Sequence, residues 1–165
     1  DKYNARLIIN DNVNIAKKVG AAGCHLGQAD MSIKEARDTL GKDFIIGGTA
    51  NAFEDIVTLS YDAPDYIGLG PYRFTTTKKK LSPVLGIKGY ISILKSMKQN
   101  NINITVIGIG GIKEDDINHL LNNGLYGVAV SSLIVNSENI TLKTMTILDN
   151  IKNIKLKDGK IKNSK

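Results

Sequence analysis

The chain of 165 residues contains a single cysteine, Cys24, so no intrachain disulfide can staple it. Its longest apolar stretches, such as Val106 to Ile112, are broken by glycine and fall far short of the roughly 20 residues a membrane-spanning helix needs. Nothing near Asp1 has the charged, apolar and small-residue order of a signal peptide. A reducing cytoplasm is the expected location. The chain also lacks a P-loop, a zinc-ligand spacing and a nucleophile elbow. Of its two histidines, His25 sits between Cys24 and Leu26 and reads as a satisfied core residue, and His119 beside Leu120 reads as a helix surface residue. Neither has a nucleophile or metal-ligand spacing around it.

Net charge is close to zero except at one end. The formal net charge is +6, but the last fourteen residues carry six lysines, Lys152 to Lys165, against Asp158, which leaves everything before them at +1. A lysine-rich end without interleaved aromatics is a solvated tail rather than a nucleic-acid site, so residues 151–165 are expected to be a basic tail and neither nucleic acid nor membrane is expected as partner. The remainder, 42% apolar and 23% charged over the whole chain, has the composition of one soluble globular domain over residues 1–150. A homo-oligomer is left open.

What the sequence does contain is a repeat. Short β-branched runs recur at Arg6–Ile9, Cys24–Leu26, Phe44–Ile46, Tyr66–Leu69, Ile104–Ile107 and Gly127–Val130, each suited to a buried parallel strand. Between them, apolar residues fall at helical spacing: Val13, Ile15, Ala16 and Val19; Ile33, Ala36 and Leu40; Ala52, Ile56 and Leu59; Ile91, Leu94 and Met97; Ile117, Leu120 and Leu121. Ser32 before one segment and Gly20, Gly41 and Gly124 after others are start and stop signals. Six βα units predict an α/β fold with a parallel sheet, either open and doubly wound or closed into a barrel. A complete (β/α)₈ barrel would need two more units, so on the barrel reading the start of the chain lies upstream of Asp1.

In such folds the ligand face is built from the C-terminal ends of the strands and the loops that follow. Asn10 and Asp11 follow the first strand, and Gly27, Gln28 and Asp30 the second. Two carboxylates on neighbouring strand ends can share a divalent cation, though aspartate serves equally well as a helix cap. The third strand leads into Gly47-Gly48-Thr49-Ala50-Asn51, read as a flexible turn bearing a hydroxyl and an amide. After the fourth, Pro71 to Lys80 combines Thr75, Thr76 and Thr77 with Arg73, Lys78, Lys79 and Lys80, a loop suited to pyrophosphate and, by composition, equally to a solvated charge run. The fifth runs into Gly108-Ile109-Gly110-Gly111, whose backbone amides could approach an anion, and Ser131 and Ser132 follow the sixth.

Four motifs in order, Leu7-Ile8-Ile9-Asn10-Asp11, Gly23-Cys24-His25-Leu26-Gly27-Gln28-Ala29-Asp30, Gly68-Leu69-Gly70-Pro71 with Thr75-Thr76-Thr77-Lys78-Lys79, and Val106 to Ile112, resemble the thiamine-phosphate synthase family from about Ala5 to Ser132. The resemblance implies a TIM (β/α)₈ barrel of which about six units are present here. It implies a Mg²⁺-dependent enzyme that condenses 4-amino-2-methyl-5-hydroxymethylpyrimidine pyrophosphate with 4-methyl-5-(2-phosphoethyl)thiazole, giving thiamine phosphate and pyrophosphate. By the same resemblance Asp11 and Asp30 are metal ligands, and Asn10, Thr49, Thr75, Thr77 and Lys78 bind the pyrimidine pyrophosphate. Lys78 and Thr49 assist the chemistry, and Gly111, Ser131 and Ser132 cradle the thiazole phosphate. Where the family often has histidine, this chain has Asn51. The alternatives are a thiazole tautomerase-like relative, a noncatalytic phosphate-ligand binder or an inactive piece; the structural runner-up is a flavodoxin-like open sheet.

Overall fold

A computed structural model describes residues 5–74 and 83–157. They form two compact units: residues 5–69 with 95–106, and residues 70–74 and 83–94 with 107–157.

The first unit holds β1 (Ile8–Asn10), α1 (Val13–Lys18), β2 (Gly23–Leu26), α2 (Ile33–Leu40), β3 (Ile45–Ala50), α3 (Phe53–Ser60) and β4 (Tyr66–Leu69). β1, β2, β3 and β4 are neighbours in that order and all parallel, with Ile8 beside Gly23, Gly23 beside Ile45 and Gly47 beside Tyr66. A doubly wound sheet reverses its strand order at a switch point. These four strands do not reverse, so the flavodoxin-like runner-up is set aside. The helices lie where the apolar spacing predicts them, because burying Ile33, Ala36 and Leu40 against Ile46 and Leu26 requires one face per helix. Each such large side chain taken from water contributes about 1.5–3 kcal/mol.

Both helix starts beside the acidic positions are capped by other residues. Asn12 accepts a hydrogen bond from the Ile15 amide at 2.9 Å and starts α1. Ser32 starts α2, accepting from the Glu35 amide while Glu35 accepts from the Ser32 amide. Asp11 and Asp30 are therefore not the caps of these two helices.

One boundary differs in a way that matters for function. The run read as a turn after Ile46 continues as β3 to Ala50, so Gly47, Gly48 and Thr49 are buried strand residues rather than a flexible turn. Glycine weakens strands in general, but here its missing side chain is what lets large neighbours pack across β3.

In the second unit lie most of α4 (Gly86–Gln99), most of β5 (Val106–Ile109), α5 (Glu114–Asn122), β6 (Gly127–Ala129), α6 (Ser132–Val135) and α7 (Ile140–Lys157). β5 and β6 pair in parallel, Gly108 beside Val128. Tyr90, Ile112, Ile117, Leu120, Leu121 and Leu125 are buried together with Ile147 of α7. The part of the expected basic tail that is described is helical, since α7 runs through 151 to Lys157, and Lys155 Nζ lies 3.8 Å from the Tyr126 ring centroid. No helix among the described residues is long and apolar enough to cross a membrane.

Candidate functional site

Asp11 stands one residue beyond β1 with φ 66°, a left-handed conformation that aspartate tolerates better than most side chains. Its backbone amide donates to the His25 carbonyl at 2.8 Å, which ties the end of β1 to β2. Asp30 closes a tight turn after β2: its Oδ2 accepts from the Gly27 amide at 2.7 Å, and its own amide donates to the Gly27 carbonyl. Both carboxylates are exposed. Burial pushes the Cys24 thiol above its ordinary pKa, and the negative fields of Asp11 and Asp30 push it further. Asp11 follows β1 and Asp30 follows β2, which pair in parallel, so both acids lie beyond the carboxyl ends of neighbouring strands, where Asn10 also ends β1.

No group of three or more histidine, cysteine or acidic side chains converges as a metal cage among the described residues. Two carboxylates alone fit Mg²⁺, which keeps several waters and completes its shell with substrate phosphate oxygens. They do not fit a structural zinc site, which uses four nitrogen or sulfur ligands.

Thr49 is 8% exposed and lies on β3 beside Gly68 of β4. Its hydroxyl is 3.0 Å from His25 Nε2, and His25 Nδ1 is 3.0 Å from the Tyr66 hydroxyl. His25 was expected to be a satisfied core residue; its ring nitrogens do find hydroxyl partners, but it is only half-buried, and Tyr66 and the bond to Thr49 were not legible in the sequence. A cavity of about 540 Å³ lies between α2 and α3, lined by Thr49, Ile33 and Leu59 and by the acidic Asp30, Glu35 and Asp55. Asn51 is half-buried, and its amide donates to Asp55 Oδ2 at 2.7 Å.

In the second unit, Gly111 adopts φ +66°, and a side chain there would meet Arg73 Cβ at 2.9 Å and the Phe74 carbonyl at 3.0 Å. Part of the reason for this glycine is thus the chain's own Pro71–Phe74 segment, in addition to the anion cradle read from the sequence. Ser131 precedes the short α6 and Ser132 opens it; both are exposed. Thr75, Thr77 and Lys78 lie outside the described residues.

Arg73 and Asp116 pair through both guanidinium nitrogens, with NH2 to Asp116 Oδ1 at 2.7 Å, and Asp116 Oδ2 also accepts from the Lys113 amide at 2.8 Å at the start of α5. Arg73 chiefly, with the Lys113 bond, holds the Asp116 carboxyl below its usual range against the opposing effect of burial. A folded-state pKa below the unfolded one gives stability that is present above the ordinary aspartate range and is lost as pH falls through the depressed value. Asp116→Asn should therefore cost about 1 kcal/mol at neutral pH, on the scale of a lost helix cap and a partly exposed pair. Thermal melts of the two proteins should converge as pH falls below the ordinary aspartate value of 3.8. A gap that is constant down to strong acid would show that the charge contributes nothing.

Residues 1–134 match the family model TMP-TENI, described as thiamine monophosphate synthase. The chain belongs to that family. It is 54% identical over 138 residues to the thiamine-phosphate synthase of Flavobacterium johnsoniae, covering 84% of this chain and 65% of that one. It is 51% identical over 145 residues to that of Bacteroides thetaiotaomicron, covering 88% and 69%. The chain thus spans about two thirds of the length of the curated relatives it matches. Among solved structures, thiamine phosphate pyrophosphorylase from Pyrococcus furiosus superposes with a TM-score of 0.79 at 28% identity, over 93% of this chain and 70% of that one.

Proposed function

We propose that the protein is a thiamine-phosphate synthase, joining 4-amino-2-methyl-5-hydroxymethylpyrimidine pyrophosphate to 4-methyl-5-(2-phosphoethyl)thiazole, with its six strand-helix units part of a (β/α)₈ barrel in the cytoplasm. The observation that carries this reading is the placement of Asp11 and Asp30 after the neighbouring strands β1 and β2, neither of them a helix cap, in a chain 54% identical to a synthase.

The reaction breaks the bond between the pyrimidine methylene and the pyrophosphate oxygen, with the electron pair leaving on pyrophosphate, and forms a bond from the thiazole nitrogen to that methylene. Bound Mg²⁺, held by Asp11 and Asp30 through their carboxylates, would neutralise charge building on the leaving pyrophosphate. Asn10, at the end of β1, offers its amide to the pyrimidine pyrophosphate. Thr49 presents a hydroxyl from a buried strand, so its orientation is fixed before the ligand arrives. Thr75, Thr77 and Lys78 supply further donors and a cation to the departing group. Gly111, Ser131 and Ser132 hold the thiazole phosphate by backbone and hydroxyl donors. No covalent enzyme intermediate is needed, in keeping with the absence of a nucleophile elbow in the sequence.

Incubating the protein with both substrates and Mg²⁺ should yield thiamine phosphate and pyrophosphate in equal amounts, and chelation should stop it. Binding of both substrates with no product would identify a phosphate-ligand binder instead. Conversion confined to the thiazole would identify a tautomerase.

A further inference from the structure

His25 projects from β2 at a position where parallel α/β proteins ordinarily pack aliphatic side chains, and the coupling proposed above gives it no task. Its ring stacks on Tyr66, with centroids 5.4 Å apart and planes 22° apart, and both of its nitrogens are within hydrogen-bond distance of a hydroxyl.

The backbone is shaped around this arrangement. In register, Gly47 of β3 stands between His25 and Tyr66, and a Cβ there would come within 2.2 Å of the Tyr66 ring. Gly68 of β4 stands beside Thr49, and a Cβ there would meet His25 Cε1 at 2.9 Å. Two glycines on adjacent strands thus open the space in which the two rings meet.

A neutral imidazole carries one donor and one acceptor, so the bond on one nitrogen decides the role of the other. We propose that Tyr66 and His25 are positioning residues for Thr49: the Tyr66 hydroxyl donates to Nδ1, Nε2–H donates to Thr49 Oγ1, and the Thr49 hydrogen is left to donate to an anionic oxygen of the pyrophosphate that the synthase reading puts at this strand end. The opposite order would turn an oxygen lone pair toward the ligand and repel it. Burial, followed by the field of Cys24, raises the Tyr66 phenol above its ordinary pKa, so it keeps the proton it donates. The inference rests on the synthase reading for the anionic substrate that favours this order over its reverse, and on the three side chains for the contacts themselves.

Two measurements test it. Nitrogen NMR of the unsubstituted protein should show His25 protonated at Nε2, and needs no variant to fold; protonation at Nδ1 would overturn the proposal. Then Tyr66→Phe, which keeps the stacked ring, is compared with Thr49→Ala and with the double variant, reading both turnover and the affinity for inorganic pyrophosphate with Mg²⁺. Tyr66→Phe should lower kcat and pyrophosphate affinity each about tenfold, the scale of one lost hydrogen bond, while the KM for the thiazole phosphate stays within about twofold. The double variant should be no worse than Thr49→Ala alone, because Tyr66 acts through Thr49. Losses that multiply in the double variant would show Tyr66 to be structural and sink the proposal. If the unsubstituted protein makes no thiamine phosphate yet the pyrophosphate affinities show the same non-additivity, the relay stands and the synthase reading fails; product formation with multiplied losses has the reverse meaning.

Discussion

Asp11→Asn and Asp30→Asn should each lower kcat/KM for thiamine phosphate formation by about two to three orders of magnitude, the scale on which one preorganised contact to developing charge is felt. Both substitutions are mild in structure. Asparagine is among the residues best suited to the left-handed backbone that Asp11 occupies. At position 30 its side-chain oxygen can still accept from the Gly27 amide, the bond that now measures 2.7 Å. Melting temperatures should therefore stay close to that of the parent while turnover collapses, and raising Mg²⁺ should recover part of the loss. The check is a kinetic series in Mg²⁺ beside a thermal melt of each variant. Activity within threefold of the parent in either variant would remove that residue from the metal site.

The second large effect concerns stability. Gly23 begins β2 directly beside Ile45 of β3, and a Cβ at that position would lie 2.0 Å from the Ile45 carbonyl oxygen. The obstructing atom is backbone, so no rotamer change relieves it, and the β2–β3 pairing itself must shift. Gly23→Ala should cost about 3 kcal/mol, the upper part of the overpacking range, and lower the melting temperature by roughly 6–12 °C for a chain of this size. Calorimetry or a denaturant titration measures this directly. By contrast, Gly20→Ala meets no atom within 4 Å and is opposed by its φ of +61° alone, so it should cost about 1 kcal/mol. Equal losses at the two positions would mean that β2 and β3 adjust freely.

The helix α2 was legible because it has one buried stripe, Ile33, Ala36 and Leu40 sitting where a 3.6-residue period puts them, whereas α6 buries no side chain and the end of α7 reads as a lysine-rich tail, so neither was marked. The strands were legible as β-branched runs, but the end of β3 was not. Gly47 and Gly48 look like a turn, since glycine is common in turns, and only their neighbours Tyr66, Leu59 and Ile33 show that they are notches in a buried strand. The acidic pair was legible from its place after two strands. Whether Asp11 and Asp30 capped helices depended on hydrogen bonds made by Asn12 and Ser32, which residue type alone does not decide. Tyr66 stayed hidden for a similar reason: a tyrosine in a strand reads as core, and its bond to a histidine 41 positions earlier exists only once β2, β3 and β4 lie side by side. Arg73 was read as one cation among several in a loop, whereas it is committed to Asp116.

The unreversed order of β1 to β4 bears on how the chain acquires its structure. Ile8 finds Gly23, Gly23 finds Ile45 and Gly47 finds Tyr66, so each partner waits about twenty residues down the chain, with a single helix to fold in between. The pairings that define this part of the sheet are therefore each made with the strand next in sequence, which keeps the loops closed between them short.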